Sequence, residues 1–253
     1  MSVVEHNQAR QAMDGAKVED SAISDRQKRL ILLQVNDALF PIGGWAHSWG
    51  LETYIQKGRV TTAEEAGQFI RKRLLYAFCY GELLSVRLAW ECAAAGDVAH
   101  LGELEDTLEA SRSPREVREA AAKMGSRFVK TVLQLDLSYE RGAFVRYTEA
   151  RCGKAMTHQV AYGAFCSSLG IAKEAALEHY LYAQTSALVT CCVKSVPLSQ
   201  SAGQCLLCSL HPVFAQVMDR VEAASEADLC RSTPGFDIRC MQHEGLYSRI
   251  YMS

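Results

Sequence analysis

Residues 155–218, AMTHQVAYGAFCSSLGIAKEAALEHYLYAQTSALVTCCVKSVPLSQSAGQCLLCSLHPVFAQVM, contain only four side chains that are acidic or basic: Lys173, Glu174, Glu178 and Lys194. Ala and Leu dominate, Pro is scarce and the β-branched residues are scattered instead of alternating, which favours helices. Helices so poor in charge cannot each show a hydrated face, so they are buried centrally or cover a partner. Gly163, Ser167 and Gly170 recur at i, i+4 and i+7, a small-residue stripe that lets another helix come close, while Leu177, Leu181, Leu188 and Cys192 form a larger ridge. Stripe and ridge read either as an ordinary core helix pair or as a subunit interface. Ser195 to Met218 has no Asp, Glu, Lys or Arg, but Pro197, Gly203, three Gln and the His211-Pro212 pair interrupt it, too many polar groups for a lipid-facing span.

Outward from this stretch the same helical signals continue, and the chain reads as all-α: a single helical-bundle-like domain of about eight to ten helices. Thr62 with Glu65, and Ser113-Pro114-Arg115-Glu116, carry the chemistry of helix starts. From the first, Ala66, Phe69, Ile70, Leu74, Ala77 and Phe78 share one face of a helix that runs on past Gly81 toward Ala93. Leu30 to Leu39 reads as a first helix, ended by the shaped turn Phe40-Pro41-Ile42-Gly43-Gly44. Further helices are expected over 99–110, 115–136, 140–150, 157–169, 173–195, 201–225 and 236–247. The expected organisation is a flexible N-terminal tail over 1–29, a helical domain over 30–232 and a C-terminal docking segment over 233–253.

The whole chain has 253 residues, and its 27 basic against 29 acidic side chains leave a net charge of −2. No excess positive field holds phosphate backbones, so nucleic acid is not an expected partner. Ten cysteines fall mostly in apolar stretches, and Met1 to Arg29 lacks the apolar run of an export signal. Both fit a reduced, cytoplasmic setting.

The chain displays no phosphate-binding G-x-x-x-x-G-K-[ST], no G-x-G-x-x-G behind a strand, no H-E-x-x-H and no G-x-S-x-G, so no catalytic centre is expected. Cys205, Cys208 and His211 form C-x-x-C-x-x-H, whose thiolates and imidazole suit a soft metal. The competing reading is plain burial, since on one helix the three side chains fan apart and no fourth ligand is near. Cys191-Cys192 points two ways at once, half core and half contact. Pairings of Cys79 or Cys166 with His158 or His179 are no more than ten Cys and seven His offer by chance. His47 stands between Trp45 and Trp49 just after the two-glycine turn, as a binding residue or as a histidine satisfied by local hydrogen bonds. The last residues, Tyr247, Ser248, Arg249, Ile250, Tyr251, Met252 and Ser253, are apolar and aromatic around one guanidinium, the residue types that anchor interfaces. Such an end docks on its own domain or orders against a partner.

Three separated motifs, Pro41-Ile42-Gly43-Gly44-Trp45-Ala46-His47-Ser48-Trp49-Gly50-Leu51-Glu52, Pro197-Leu198-Ser199-Gln200-Ser201-Ala202-Gly203-Gln204 and His243-Glu244-Gly245-Leu246-Tyr247-Ser248-Arg249, together resemble the urease accessory protein family UreF, with Tyr180 to Ser186 also familiar from it. The likeness runs from about Leu30 to Ser253. It departs from the family's habit at Trp45, where Tyr or Phe is usual, and at Ala46, where Ser or Thr is usual. The resemblance implies an all-helical, homodimeric, cytoplasmic chaperone without a catalytic centre. Such a protein binds UreD (UreH in some systems) and recruits the GTPase UreG, in a 2:2 or 2:2:2 complex that delivers nickel to apo-urease. It implies no tightly bound cofactor: nickel passes in transit, and GTP and Mg belong to the partner GTPase. It further implies that the tail orders against UreD, and that the positions of Trp45 and Arg249 help to bring in the GTPase. The alternative kept open is direct nickel handling by Cys205, Cys208 and His211, or by His47.

Overall fold

The computed structural model describes residues 23–231 and 233–253, which fold entirely as helices and connecting turns. Of the expected tail, residues 1–22 lie outside the described residues; residues 25–29 belong to helix α1, Asp25–Val35. The start lies five residues before the expected Leu30 because Ser24 and Gln27 form a reciprocal capping box. The helix stops at Asn36, whose side-chain amide donates to the Leu32 carbonyl and to the Tyr162 hydroxyl, both at 2.8 Å.

After the Pro41–Gly44 turn come a 3₁₀ turn, Gly44–Ala46, and α2, Leu51–Gln56. Helix α3, Ala63–Arg73, starts on Thr62, whose hydroxyl accepts from the Glu65 N–H. It runs without a break through a π-helical segment, Leu74–Leu83, into α4, Leu84–Ala95. Helices α5, Val98–Ser111, and α6, Arg115–Val132, follow. Pro114 takes the cap position of α6 instead of its first turn, and no side chain caps that end; Glu116 is engaged elsewhere. The chain continues through α7 (Ala143–Ala150), α8 (His158–Ser168), α9 (Lys173–Ser195), α10 (Gln200–Ser209), α11 (His211–Ala223) and α12 (Pro234–His243). The expected helix over 201–225 is therefore two: Pro212 has no N–H for a preceding carbonyl, so the first helix ends at Ser209 and Pro212 sits in the first turn of the second.

The charge-poor stretch is the centre of the molecule. Every residue of α8 is buried, and its rings join Phe128, Phe144, Tyr147 and Tyr180 in one aromatic cluster, with Phe128 and Phe165 edge to face at 5.4 Å. Each large apolar side chain so buried contributes roughly 1.5–3 kcal/mol relative to exposure. Near the start of α8, the buried Glu105 accepts from the Thr157 N–H and from the Tyr147 hydroxyl, and burial raises its carboxyl to about 6.

The small-residue stripe serves this core. A Cβ on Gly163 would lie 2.4 Å from the Val86 carbonyl oxygen and 3.1 Å from the Trp90 nitrogen, so only glycine lets α8 lie against α4 at this distance. Ser167, Leu177 and Leu181 are fully buried within the chain as well, and Gly170 closes α8 at φ +68° beside Glu140. Gly163, Ser167, Leu177 and Leu181 thus pack within the chain's own core, as the core helix pair requires, while Gly170 at the end of α8 is half-buried. Cys191 and Cys192 are likewise both buried, not half exposed.

Candidate functional site

Two of the three sequence motifs meet in space. Residues 248–253 lie along the 46–56 segment, and the C-terminal stretch docks on its own domain. Ser48 gives both its N–H and its hydroxyl to the Ser253 main-chain oxygen, each at 2.7 Å, and the Trp49 N–H joins them at 3.1 Å. Met252 donates its N–H to the Ala46 carbonyl at 2.8 Å, and Gln56 donates to the Ser248 carbonyl at 2.5 Å. Trp49 adopts φ +53° and Gly50 φ +83°; a Cβ on Gly50 would lie 2.8 Å from Cys240 Sγ, so this bend also seats α12. A bulky residue in the left-handed region costs on the order of 1 kcal/mol, which the surrounding hydrogen bonds over-determine.

Glu52 holds the middle of the tail. Its carboxylate is buried and accepts from the Ile250 N–H at 2.6 Å, the Tyr251 N–H at 3.1 Å and His243 Nε2 at 2.9 Å. His243, at the end of α12 and wholly buried, meets Glu116 through its other nitrogen at 2.6 Å. Each ring nitrogen thus lies within hydrogen-bond reach of a carboxylate, and the imidazole bridges Glu52 and Glu116. Arg249 completes the set with a 2.7 Å ion pair to Glu116. The sequence motifs contain Ser48, Glu52 and His243, but nothing in their spacing paired them; their partners are separated by 191 to 205 positions in the chain.

His47 is buried inside this arrangement, with Nδ1 2.9 Å from the Ser253 hydroxyl and its ring 5.5 Å from Trp49. Burial first, and then the Arg127 and Lys123 cations, hold its pKa down to about 4, so it is neutral at pH 7. Its side-chain partner is not local, as one reading had it, but lies 206 positions away in the chain. Tyr251 is buried also. The other expected site residues face outward: Trp45 is 64% exposed, Ile250 68% and Tyr247 fully, with Met252 at 60% beside them; Ser248 and Arg249 are exposed as well. Lys194 stands 5.9 Å from the centre of the Trp45 ring.

Cys205, Cys208 and His211 do not make a metal centre, and no group of three or more potential ligands exists among the described residues. Cys205 and Cys208 are exposed near the end of α10, which corrects the burial reading too. His211 starts the next helix and packs on Phe214 at 5.7 Å. Cys79 and Cys166 are buried with thiols pushed well up by desolvation, to about 11 for Cys79, the opposite of a reactive nucleophile. No helix of the described residues is long and apolar enough to cross a membrane.

Comparison with known proteins gives the chain a family. The model of the family UreF matches residues 60–211. A protein of Bacillus sp. (strain TB-90), named urease accessory protein UreF, is 33% identical over 230 residues, covering 88% of this chain and 98% of its own length. Proteins of the same name from Paenarthrobacter aurescens (strain TC1) and Corynebacterium glutamicum (strain R) are 33% and 30% identical, covering 89% and 90% of this chain and 98% and 100% of their own.

Proposed function

We propose a function from one premise: the chain belongs to the UreF family, and with it to the proteins that assist urease maturation. Our reading is that it acts as a cytoplasmic adaptor and not as an enzyme. It binds UreD (UreH) and thereby recruits the GTPase UreG, as a homodimer within a 2:2 or 2:2:2 complex. Nickel is the cargo of that assembly on its way to apo-urease, while GTP and Mg stay with the GTPase.

The observation that carries this reading is the exposed set Trp45, Tyr247, Ile250 and Met252, presented on a segment whose main chain is clamped from below by Ser48 and Glu52. Aromatic and aliphatic side chains on a fixed backbone lose little further entropy when a partner covers them, so their burial goes largely into affinity. An adaptor needs such a preorganised face and no tuned acid or base. The buried, neutral His47 supports the face from beneath and offers no open ligand.

Co-expression with UreD and UreG tests the proposal. A tagged chain carrying Tyr247→Ala and Ile250→Ala is expected to retain at least about tenfold less UreD than the unaltered chain, with an unchanged circular dichroism spectrum. Undiminished co-purification would overturn the tail as the docking face. These surface changes are cleaner than deletion of residues 247–253, which would also strip the buried Glu52 of two N–H donors. Turnover of a substrate by the lone chain would overturn the adaptor reading itself.

A further inference from the structure

On the flank of α12 that faces α3, the molecule carries an open groove of about 760 Å³, within the range of about 300–1,000 Å³ usual for ligand clefts. Its floor is aromatic: Tyr54, Phe69 and Phe236 stand at 4.9, 5.5 and 6.0 Å from one another, ring centre to ring centre. The Tyr54 hydroxyl donates to the Gly235 carbonyl at 3.2 Å, tying α2 to the first turn of α12 and fixing the floor. The rim is basic. Arg59 and Lys72 are exposed, and neither enters an ion pair among the described residues. Arg239 lies 5.7 Å from the Tyr54 ring and is likewise without a carboxylate partner there. Among the described residues the only acid lining the groove is Glu65, which accepts from the Thr61 N–H and hydroxyl, both at 2.8 Å. The chain as a whole is slightly acidic, so three cations against one carboxylate around an aromatic floor are a local reversal of its charge.

We propose that this groove is a second docking site, one that takes an extended acidic segment of a partner protein, with an aromatic or aliphatic side chain anchored on Tyr54, Phe69 and Phe236. The proposal rests on the adaptor reading for the partner's presence, but the surface is separate from the Trp45–Ile250 face. Arg59 and Lys72 supply attraction that salt screens, Arg239 stacks over the floor, and the rings supply an apolar seat. A basic or neutral segment would find the apolar seat but no complementary rim.

A fluorescein-labelled hexapeptide of alternating acidic and phenylalanine residues tests this on the full chain by anisotropy. Saturable binding is expected, weakened about tenfold by Arg59→Glu with Lys72→Glu, and similarly by about 0.5 M salt or by a Gln-for-Glu peptide. Both substituted positions are exposed, so folding is not at issue. Equal binding by the reversed variant, or no saturable binding, would overturn the inference. In the co-expressed complex, a benzoylphenylalanine at Gln68 on the groove wall is expected to crosslink to an acidic stretch of a partner. A crosslink to a second copy of this chain, or to its own residues 1–22, would overturn the assignment of the occupant. If the unaltered chain captures no UreD at all, the adaptor reading fails, while the peptide titration still decides the groove.

Discussion

Helix α8 is held by close packing, whereas residues 248–253 are held by hydrogen bonds; both are bound to the same domain. Around Gly163 two helix backbones approach until no Cβ fits, and the surrounding rings exclude water. Around Glu52 the tail's own N–H groups converge on a buried carboxylate, and Ser48 and Trp49 collect on one main-chain oxygen. Apolar contact is unselective and additive, so α8 is secured by many weak terms. The tail depends on a few charge-assisted bonds, each worth about 1.5–3 kcal/mol and each leaving an unsatisfied buried group if its partner goes. A surface that must stay addressable is better attached in the second manner than in the first.

Substitution tests that contrast, and the largest effect is expected in the packed seam. Gly163→Leu places a side chain against the Val86 carbonyl, and a loss of about 3 kcal/mol or more is expected, read as a lower urea midpoint or as failure to accumulate soluble chain. Glu52→Ala should cost somewhat less, about 2–4 kcal/mol, but in a local manner: His243 loses one acceptor, and the Ile250 and Tyr251 amides should exchange with deuterium far faster while those of α8 do not. Equal acceleration in both regions would show that tail and core are one cooperative unit.

Acid separates the regions next. Burial holds His158, inside the aromatic cluster, down to about 3, and His47 under the tail down to about 4. In the unfolded chain both take up protons near 6.5, so stability is complete above that pH and falls as the pH drops toward 4 and 3. Glu105 works the other way between 4.5 and about 6, because its folded carboxyl keeps its proton longer than the unfolded one. Two histidines outweigh one carboxyl, and the melting temperature is expected to decline from pH 6.5 to 4. His158→Phe should flatten that decline, since neither ring nitrogen has a partner and the ring already sits 5.1 Å from Phe128 and 5.4 Å from Tyr180. The smallest effect is expected from Arg249→Ala: the arginine side of its ion pair with Glu116 is 41% exposed, and less than about 1 kcal/mol should be lost.

The same contrast governs how much was legible in the sequence. The core helices follow from local pattern: α9 spans Lys173–Ser195 as expected, and the burial of the charge-poor stretch follows from its composition. Gly163 announced a close helix neighbour, but periodicity does not say whether that neighbour is α4 of the same chain or another subunit. Boundaries strayed where one polar group outweighed the periodic pattern, as Ser24 does with Gln27 and as Pro212 does by lacking an N–H. The exposed Trp45, Tyr247 and Ile250 were recognisable by residue type. Glu52, Glu116 and His243 were not, because a hydrogen bond between distant positions leaves no periodic trace.

The π-helical segment between Leu74 and Leu83 changes how residues downstream of it are counted. Its wider turns shift the phase of everything after Leu83, and that phase is what turns Val86 and Ala89 toward Gly163. Were the same residues wound as ordinary α-helix, with none removed, the tighter turns would carry the chain further round and α4 would arrive rotated about its axis. A change that straightened this segment without shortening it would therefore aim the wrong side chains at the centre of the molecule.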